Sequence, residues 1–185
     1  MKPAFLIVGL GNPGKQFAKT RHNAGWLALD AFADEIKATQ YEDKQKFLCF
    51  AAEGEFDGKN VLLVKPTTFM NLSGHCVKKL IDFYKLDPAT QLLVLCDDID
   101  IPRGTHRLRL TGGPGTHNGL KSIVEVLGEN FPRHRIGLGP KPAEIDLAAW
   151  VLSALTPTDM KVMKPSLEAV MRSVKEVMKS AKKPE

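Results

Sequence analysis

The stretch AFLIVGLGNPG (residues 4–14) joins a short apolar run to a glycine-rich turn near the start of the chain. The apolar run over residues 4–10 is typical of a buried strand. Gly9, Gly11 and Gly14 fit the GxGxxG spacing of dinucleotide-binding loops. The residues that follow this turn decide between a cofactor-binding fold and another α/β fold.

A dinucleotide-binding loop needs a helix that begins inside the glycine turn and directs its free N–H groups at the pyrophosphate. Here Pro13 lacks an N–H group, and the polar segment KQFAKTRHN (residues 15–23) precedes the apolar periodicity that starts at Trp26 and Leu29. An acidic residue closing a second parallel strand is also missing, because the next two strands are predicted to form a hairpin. The sequence therefore disfavours a nicotinamide-dependent oxidoreductase, and we expect no cofactor.

Short apolar runs alternate with amphipathic segments along the rest of the chain. The further predicted strands lie at residues 47–53, 60–64, 92–96, 106–110 and 134–138. Asp57-Gly58 separates the first two of these runs and predicts an antiparallel hairpin. The alternation predicts an α/β fold in three layers, α/β/α, with a mixed, mostly parallel central sheet.

Three segments show the apolar spacing i, i+3, i+4, i+7 of amphipathic helices, around residues 77–84, 120–127 and 167–178. Pro165 predicts a kink or a late start for the last helix. With 185 residues and 43% hydrophobic content, the chain is long enough for one well-buried core. We expect a single domain over residues 1–185, in which residues 179–185 form a disordered basic tail.

The three cysteines, Cys49, Cys76 and Cys96, are odd in number, far apart and without CxxC spacing. This pattern predicts neither a disulfide framework nor a zinc cluster and is typical of a reducing compartment. The N-terminal apolar run ends in a Gly/Asn/Pro loop rather than at a small-residue cleavage site. No stretch approaches the roughly 20 apolar residues of a membrane helix, so we expect a soluble cytoplasmic protein without a membrane partner.

The formal net charge is +5, with a sequence pI of about 9.1. Basic residues concentrate in the middle of the chain beside glycine-rich turns, at Arg103, Arg107, Arg109, Lys121, Arg133 and Arg135. This balance is compatible with a phosphate-rich partner without requiring one. Surface cations that only add solubility are the alternative.

Polar side chains follow several of the predicted strands, where ligands bind in open α/β sheets. His22 is suited to proton transfer near neutral pH, and Asp97, directly after the strand LLVLC, can accept the imidazole N–H and fix its tautomer. Asn71 and Asn118 can donate amide N–H groups to a carbonyl or to the oxyanion formed on it. Because no GxSxG nucleophile motif is present, the set favours activated water attacking an acyl bond.

Each of these residues also has a plainer interpretation. Asp97, Asp98 and Asp100 in DDID could bind a divalent cation, although the run has no partner cluster in the sequence. Asn71, or nearby Ser73, and Asn118 suit the N-cap of a following helix. His117 is interpreted as a loop-packing residue, and convergent partners are not evident for the remaining histidines, which are His75, His106 and His134.

Five motifs, in this order and at these intervals, closely resemble the bacterial-type peptidyl-tRNA hydrolase family. They are GLGNPGKQFAKTRHNAG (residues 9–25), KPTTFMNLSG (65–74), DDIDIPRG (97–104), GGPGTHNGLKSI (112–123) and RHRIGLG (133–139). The resemblance covers about residues 5–155 and implies an enzyme that cleaves the ester between a peptide and the terminal ribose of tRNA. It also implies one α/β domain with a mixed sheet; we expect a metal-free cytoplasmic monomer whose partner is peptidyl-tRNA.

By position, the resemblance makes His22 the catalytic base and Asp97 the residue that stabilises its basic form. Asn12 matches the residue that helps to distinguish an N-blocked peptidyl group from a free aminoacyl group. Asn71 and Asn118 match residues that hold the peptide and the tRNA end. The presence of both His22 and Asp97 disfavours the alternative, a non-catalytic RNA-binding relative on the same fold.

The resemblance also assigns tRNA-binding residues. Phe69 matches an aromatic wall of the cleft, and Arg109 and Arg135 match basic positions that clamp a terminal phosphate. Phe17 stands where the family usually has tyrosine, so it keeps the stacking surface and lacks the hydroxyl. Pro114 replaces a residue of the family's glycine loop and is expected to stiffen it.

Overall fold

The computed structural model describes residues 2–180, which contain seven strands and six α-helices. The strands are β1 (Phe5–Gly9), β2 (Glu42–Lys44), β3 (Cys49–Phe56), β4 (Lys59–Pro66), β5 (Leu92–Asp98), β6 (His106–Arg109) and β7 (Arg133–Gly137). The helices are α1 (Ala24–Glu35), α2 (Ser73–Tyr84), α3 (Pro88–Gln91), α4 (Asn118–Leu127), α5 (Leu147–Leu152) and α6 (Pro157–Ser180). Single 3₁₀ turns occupy Lys15–Phe17, Arg21–Asn23, Gln45–Phe47 and Met70–Leu72.

All seven strands form one sheet with the order β2-β3-β4-β1-β5-β7-β6. The central strand β1 runs parallel to β4 and β5, and β5 runs parallel to β7, whereas β2, β3 and β6 join through antiparallel pairs. Five of the seven strands therefore share one direction. The predicted α/β class with a mixed sheet is confirmed.

Helices cover both faces of the sheet, as the three-layer prediction requires. Phe5 and Ile7 of β1 point into a core closed by α1 and α6, while Leu6 and Val8 point into a second core closed by α2 and α4. β1 is buried on both faces because its apolar residues do not alternate with polar ones. This burial places the residues that follow β1 at the centre of the molecule.

The hairpin predicted at Asp57-Gly58 is confirmed between β3 and β4. Asp57 and Gly58 both have positive φ, 54° and 69°, which is the backbone that a two-residue type I′ turn requires. The edge strand β2 was not predicted, because its residues, Glu42–Lys44, are all charged and carry no apolar pattern. Its place in the sheet depends on pairing with β3 alone.

The late helix start after the glycine turn is also confirmed, since α1 begins only at Ala24. Its first turn lies directly on the sheet: a Cβ added at Gly25 would stand 2.3 Å from the carbonyl oxygen of Leu95, and one added at Gly9 would stand 2.5 Å from the carbonyl oxygen of Gly25. Two glycines at this crossing therefore let α1 approach β1 and β5 closely. The 3₁₀ turn that carries His22 is held against the end of β5 as a result.

Of the two effects predicted for Pro165, a kink or a late start of the last helix, the late start is wrong. α6 begins at Pro157, eight residues before Pro165, because Asp159 and Thr156 cap its first turn reciprocally: the Asp159 amide donates to Thr156 Oγ1 over 3.1 Å, and the Thr156 amide donates to Asp159 Oδ2 over 2.9 Å. The helix continues to Ser180, so the start of the predicted tail is helical, and residues 181–185 lie outside the described residues. Within residues 2–180, we find no helix with the length and apolar character needed to cross a bilayer.

His106 and His134, which the sequence left without partners, contact each other on the face of the sheet that α6 covers. Their ring centroids are 4.8 Å apart. His134 is fully buried, and neither of its ring nitrogens meets a hydrogen-bond partner among the described residues. Burial, and then the neighbouring His106, lower the pKa of His134 from 6.5 to about 4.

We expect this buried histidine to make the fold sensitive to acid. In the unfolded chain His134 becomes protonated as pH falls through about 6.5, whereas in the folded chain it stays neutral until about pH 4. The neutral His134 therefore leaves the free energy of unfolding at its full value above pH 6.5, and this free energy decreases as pH falls towards 4. At pH 5 the lost free energy of unfolding is about 2 kcal/mol. Urea unfolding at pH 7.5 and pH 5 should show that His134→Leu removes this part of the pH dependence. The control is His75→Gln, which replaces an exposed histidine. An unchanged pH dependence in His134→Leu would contradict the assignment to His134.

Candidate active site

The carboxyl ends of the central strands open into a cavity of about 690 Å³. His22 and Asn12 reach it from the segment after β1, residues 69–71 from the segment after β4, and Asp97 from the end of β5. The N-terminus of α4 and one side of α5 complete the walls. The predicted convergence of polar loops at this edge of the sheet is therefore what the structure shows.

His22, Asp97 and His117 form a buried hydrogen-bonded triad in this cavity. Asp97 Oδ1 lies 2.8 Å from His22 Nδ1 and 3.0 Å from His117 Nε2. His117 Nδ1 accepts the backbone N–H groups of Gly119 and Leu120, at 3.1 and 3.2 Å, so its ring proton resides on Nε2 and is donated to Asp97. His22 likewise donates from Nδ1, which leaves the lone pair of its Nε2 for the cavity.

Within the triad, the pKa values of Asp97 and His22 shift in opposite directions. Burial by itself raises the pKa of Asp97, but the two histidines outweigh it and hold that pKa well below its usual range. Burial by itself lowers the pKa of His22, but the negative charge of Asp97 and its hydrogen bond outweigh burial and raise it above 6.5. Asp97 is thus a permanent carboxylate that makes His22 a stronger base.

The same three side chains place possible metal-ligand atoms within 4.8 Å of one another. The ring N–H groups of His22 and His117, however, both donate to one oxygen, Asp97 Oδ1. A cation bound between these atoms would have to replace both protons and move that oxygen. The cation site considered for the acidic run DDID is not assembled either: Asp98 Oδ2 accepts from Arg135 Nη1 at 2.9 Å, and Asp98 Oδ1 accepts the Asp100 amide at 2.8 Å. The geometry fits proton transfer better than metal binding.

Asn12 is held by the side-chain amide of Asn23 and by the backbone N–H of Met70. Its N–H donates to Asn23 Oδ1 over 2.8 Å, its carbonyl accepts from Asn23 Nδ2 over 3.1 Å, and its side-chain Oδ1 accepts the Met70 amide over 2.8 Å. Since Oδ1 is occupied by the Met70 N–H, the two protons of Asn12 Nδ2 remain for a ligand in the cavity.

Asn71, Asn118 and Phe69 all line the cavity and are exposed. The capping roles considered for the two asparagines are wrong. His117, rather than Asn118, is the N-cap of α4, and Asn71 lies within the 3₁₀ turn Met70–Leu72 that precedes α2. Both amide side chains therefore keep their donors and acceptors for a ligand.

The basic residues divide into cavity and scaffold groups. Arg135 lines the cavity, where Nη1 pairs with Asp98 and Nη2 donates to the Gly113 carbonyl over 2.8 Å. Arg133 is fully buried, with its guanidinium bonded to the carbonyls of Phe131, Gly112 and Glu129. Arg133 thus holds the glycine loop in place and is not a surface cation.

Two predicted binding residues lie outside the cavity lining. Arg109 is exposed at the end of the edge strand β6, opposite Arg133, and the β6–β7 register instead places Arg107 opposite the cavity residue Arg135. Phe17 lies in the 3₁₀ turn Lys15–Phe17 and is half-buried away from the lining residues. The structure thus brings together His22, Asp97, Asn12, Asn71, Asn118, Phe69 and Arg135, and leaves Arg109 and Phe17 outside the cavity lining.

His117 is the residue that the sequence interpretation missed. The loop-packing role assigned to it is wrong, since its side chain both caps α4 and binds Asp97. The available signal was its place directly before the helix, in the loop that also carries Asn118. The contact with Asp97 requires the end of β5 and the start of α4 to meet, and sequence spacing does not show this.

Comparisons with known proteins identify the family of the chain. The sequence profile of the peptidyl-tRNA hydrolase family matches residues 6–184. The chain is 46% identical over 175 residues to a peptidyl-tRNA hydrolase of Chloroflexus aggregans, and 47% identical over 175 residues to one of Alkaliphilus oremlandii; each match covers 94% of this chain and 92% of the relative. A crystal structure of peptidyl-tRNA hydrolase from Acinetobacter baumannii superimposes with a TM-score of 0.89 at 36% identity, covering 97% of this chain and 90% of that one. The chain belongs to the peptidyl-tRNA hydrolase family.

Proposed function

We propose that the chain hydrolyses the ester bond between a peptide and the 3′-terminal ribose of tRNA, with His22 as the base that activates water. The observation that carries this assignment is the 2.8 Å hydrogen bond from His22 Nδ1 to Asp97, which leaves Nε2 as the base on the cavity side. Membership of the family supports the reaction and the substrate. The cavity volume of about 690 Å³ lies in the range of small-ligand sites and accommodates a terminal nucleotide with its acyl group.

In the first step, His22 Nε2 removes a proton from water while the water oxygen attacks the ester carbonyl. The electron pair of the carbonyl moves to its oxygen and forms a tetrahedral oxyanion. Neutral amide donors from Asn71 and Asn118 stabilise this charge. Asp97 stabilises the imidazolium through its charge and the Nδ1–H hydrogen bond, without taking the proton itself.

In the second step, the tetrahedral intermediate collapses and the bond to the ribose oxygen breaks. The proton on His22 Nε2 passes to that oxygen, which releases tRNA with its terminal hydroxyl and the peptide with a carboxyl group. His22 is neutral again and ready for the next water. His117 keeps Asp97 Oδ1 in place through its own N–H group, so the carboxylate is a positioning partner shared by two rings.

We assign Asn12 to selection of the N-blocked acyl group. Its Nδ2 protons can donate to the carbonyl of the first peptide bond, whereas the ammonium of a free aminoacyl group offers only donors at the same place. The Asn12 N–H donors are paired when the blocked substrate binds and unpaired when the free aminoacyl substrate binds. The resulting difference in binding free energy discriminates the two substrates. The alternative function, tRNA binding without hydrolysis, has no comparable use for the His22–Asp97 pair. We keep a cytoplasmic monomer as the expected state.

The experiment that tests this proposal compares N-acetylated aminoacyl-tRNA with the same tRNA carrying a free amino group, in the presence of EDTA. We expect rapid cleavage of the blocked substrate alone, unaffected by EDTA. Tight tRNA binding without cleavage would overturn the proposal in favour of the RNA-binding alternative.

We further propose that Arg109 and Arg135 contact a tRNA phosphate. Replacing both by glutamine should raise KM and reduce the slope of log(kcat/KM) against log(salt) by about 1, because one phosphate contact is lost. A short acylated CCA oligonucleotide lacks the phosphate that these arginines are proposed to contact, so the double replacement should raise its KM less. An unchanged salt slope contradicts the phosphate contact. Lys175→Gln, which removes an α6 cation that pairs with Glu35 of α1 and does not line the cavity, serves as the control for a simple loss of positive charge.

A further inference from the structure

Arg21 directly precedes His22, yet its side chain is buried beneath α5 rather than in the cavity. It is 6% exposed. Its Nη1 donates to Ser153 Oγ and to the Ala154 carbonyl, each over 2.7 Å, and its Nη2 donates to Asp159 Oδ2 over 2.7 Å. The guanidinium carbon lies 3.9 Å from the centroid of the Trp150 ring. One side chain therefore binds the loop after α5, a face of α5 and the first turn of α6.

Asp159, which is 3% exposed, connects Arg21 to a third segment. Its Oδ2 accepts from Arg21 and from the Thr156 amide, and its Oδ1 accepts from Arg103 Nη1 over 2.5 Å. Arg103 belongs to the segment that follows β5. Two arginines from separate parts of the chain thus meet on the two oxygens of one carboxylate.

The segments joined in this way form walls of the catalytic cavity. His22 follows Arg21 directly, Ile99 and Asp100 lie in the segment of Arg103, and Leu147 and Val151 line the cavity from α5. Trp150, which packs on Arg21, does not line the cavity and so lies on the other side of α5.

Backbone pairing reinforces the same junction. The Arg21 amide donates to the Ser153 carbonyl over 3.1 Å, and the Leu155 amide donates to the Lys19 carbonyl over 2.8 Å. Thr20 and Ala154 form an isolated antiparallel bridge between these two contacts. These contacts hold the segment that carries His22 against the segment that follows α5.

We propose that Arg21, paired with Asp159, is a positioning residue that sets the distance between His22 and the α5 wall. This inference rests on the assignment of His22 as the base. An ester held against α5 lies within reach of His22 Nε2 only while the two walls keep their separation, and a displacement of about 1 Å can cost 10²-fold in rate. On average a buried ion pair adds little to the free energy of unfolding. The tests therefore address the geometry that the Arg21–Asp159 pair imposes rather than its stabilising effect.

Lysine cannot reproduce this geometry, because a single ammonium on a flexible stem does not satisfy Ser153, Ala154 and Asp159 in the plane that Trp150 stacks on. We therefore expect Arg21→Lys and Asp159→Asn each to lower kcat for N-acetylaminoacyl-tRNA by 10- to 100-fold. The measurement is made well below the melting temperature of each variant, with the folded fraction checked by circular dichroism. The double variant should lose little more than either single one, since both changes break the same pair.

The matched control is Lys59→Met, which removes a buried donor that also holds α6. Lys59 Nζ donates to the Met178 carbonyl over 2.6 Å, and Met178 is roughly 28 Å along α6 from Asp159. This variant should lower the melting temperature while kcat stays within twofold of the original enzyme.

A second readout separates this inference from the proposed function. The acid limb of the pH–rate profile reports the His22–Asp97 pair, so Arg21→Lys should lower kcat without moving that limb. Folded Arg21→Lys and Asp159→Asn proteins with kcat within twofold would overturn the positioning role, as would a loss that only tracks the unfolded fraction. Such a result leaves His22 as the base, because that assignment is tested separately by the activity of His22→Ala and His22→Asn.

Discussion

We expect His22→Ala to lower kcat for N-acetylaminoacyl-tRNA by about 10²- to 10⁴-fold, which is the contribution of a positioned general base. The loss should fall on kcat rather than on KM, because His22 acts on water in the transition state and the ligand contacts of the asparagines remain. In free energy this is about 3–5 kcal/mol of activation barrier. Steady-state kinetics at pH 7.5 check it.

The buried carboxylate makes the choice of control important. Removal of His22 leaves Asp97, 2% exposed, with His117 as its remaining ring donor, and the variant could lose stability for that reason alone. His22→Asn keeps an N–H donor near Asp97 but no base, so it should be as inactive as His22→Ala and more stable. His75→Ala, an exposed histidine of α2, should retain full activity. A folded His22→Asn with near-normal kcat would remove His22 from the mechanism.

The second large effect is expected for Asp97→Asn, with a fall in kcat of about 10- to 10³-fold at pH 7.5. The amide oxygen of asparagine can still accept from His22 Nδ1 and His117 Nε2, so the tautomers and ring positions are preserved. The negative charge that stabilises the imidazolium is lost. The effect should therefore be smaller than that of His22→Ala.

The control for this change is Asp30→Asn, which makes the same replacement on α1 in a side chain that pairs with Lys65 outside the cavity. It should leave kcat unchanged. Activity of Asp97→Asn equal to that of the original enzyme would show that the 2.8 Å contact with His22 has no part in catalysis.

The sequence predicts those parts of the fold and site that depend on local pattern. The apolar run of β1, the turn at Asp57-Gly58 and the delayed start of α1 each follow from neighbouring residues, and the structure confirms them. Strand β2 carries no such pattern, and the start of α6 is decided by the Asp159–Thr156 cap rather than by Pro165.

The site shows the same division. His22 and Asp97 are recognisable from their residue types and from their places after strands, and the fold brings them to hydrogen-bond distance. The contact of His117 with Asp97 depends on where α4 begins relative to the end of β5. Arg107 rather than Arg109 lies opposite Arg135 because of the β6–β7 register. Such three-dimensional register is not encoded in the spacing of residues along the chain.

The most direct test of the central claim, that Asp97 makes His22 a stronger base, is the pH dependence of kcat/KM for the original enzyme and for Asp97→Asn. His22 acts as a base only when neutral, so kcat/KM falls as pH drops through its pKa, which Asp97 raises above 6.5 against the opposing effect of burial. Asp97→Asn removes the carboxylate charge but keeps burial and an acceptor for His22 Nδ1, so the account predicts that the acid limb moves to lower pH. An acid limb that stays in the same place in both proteins would contradict it.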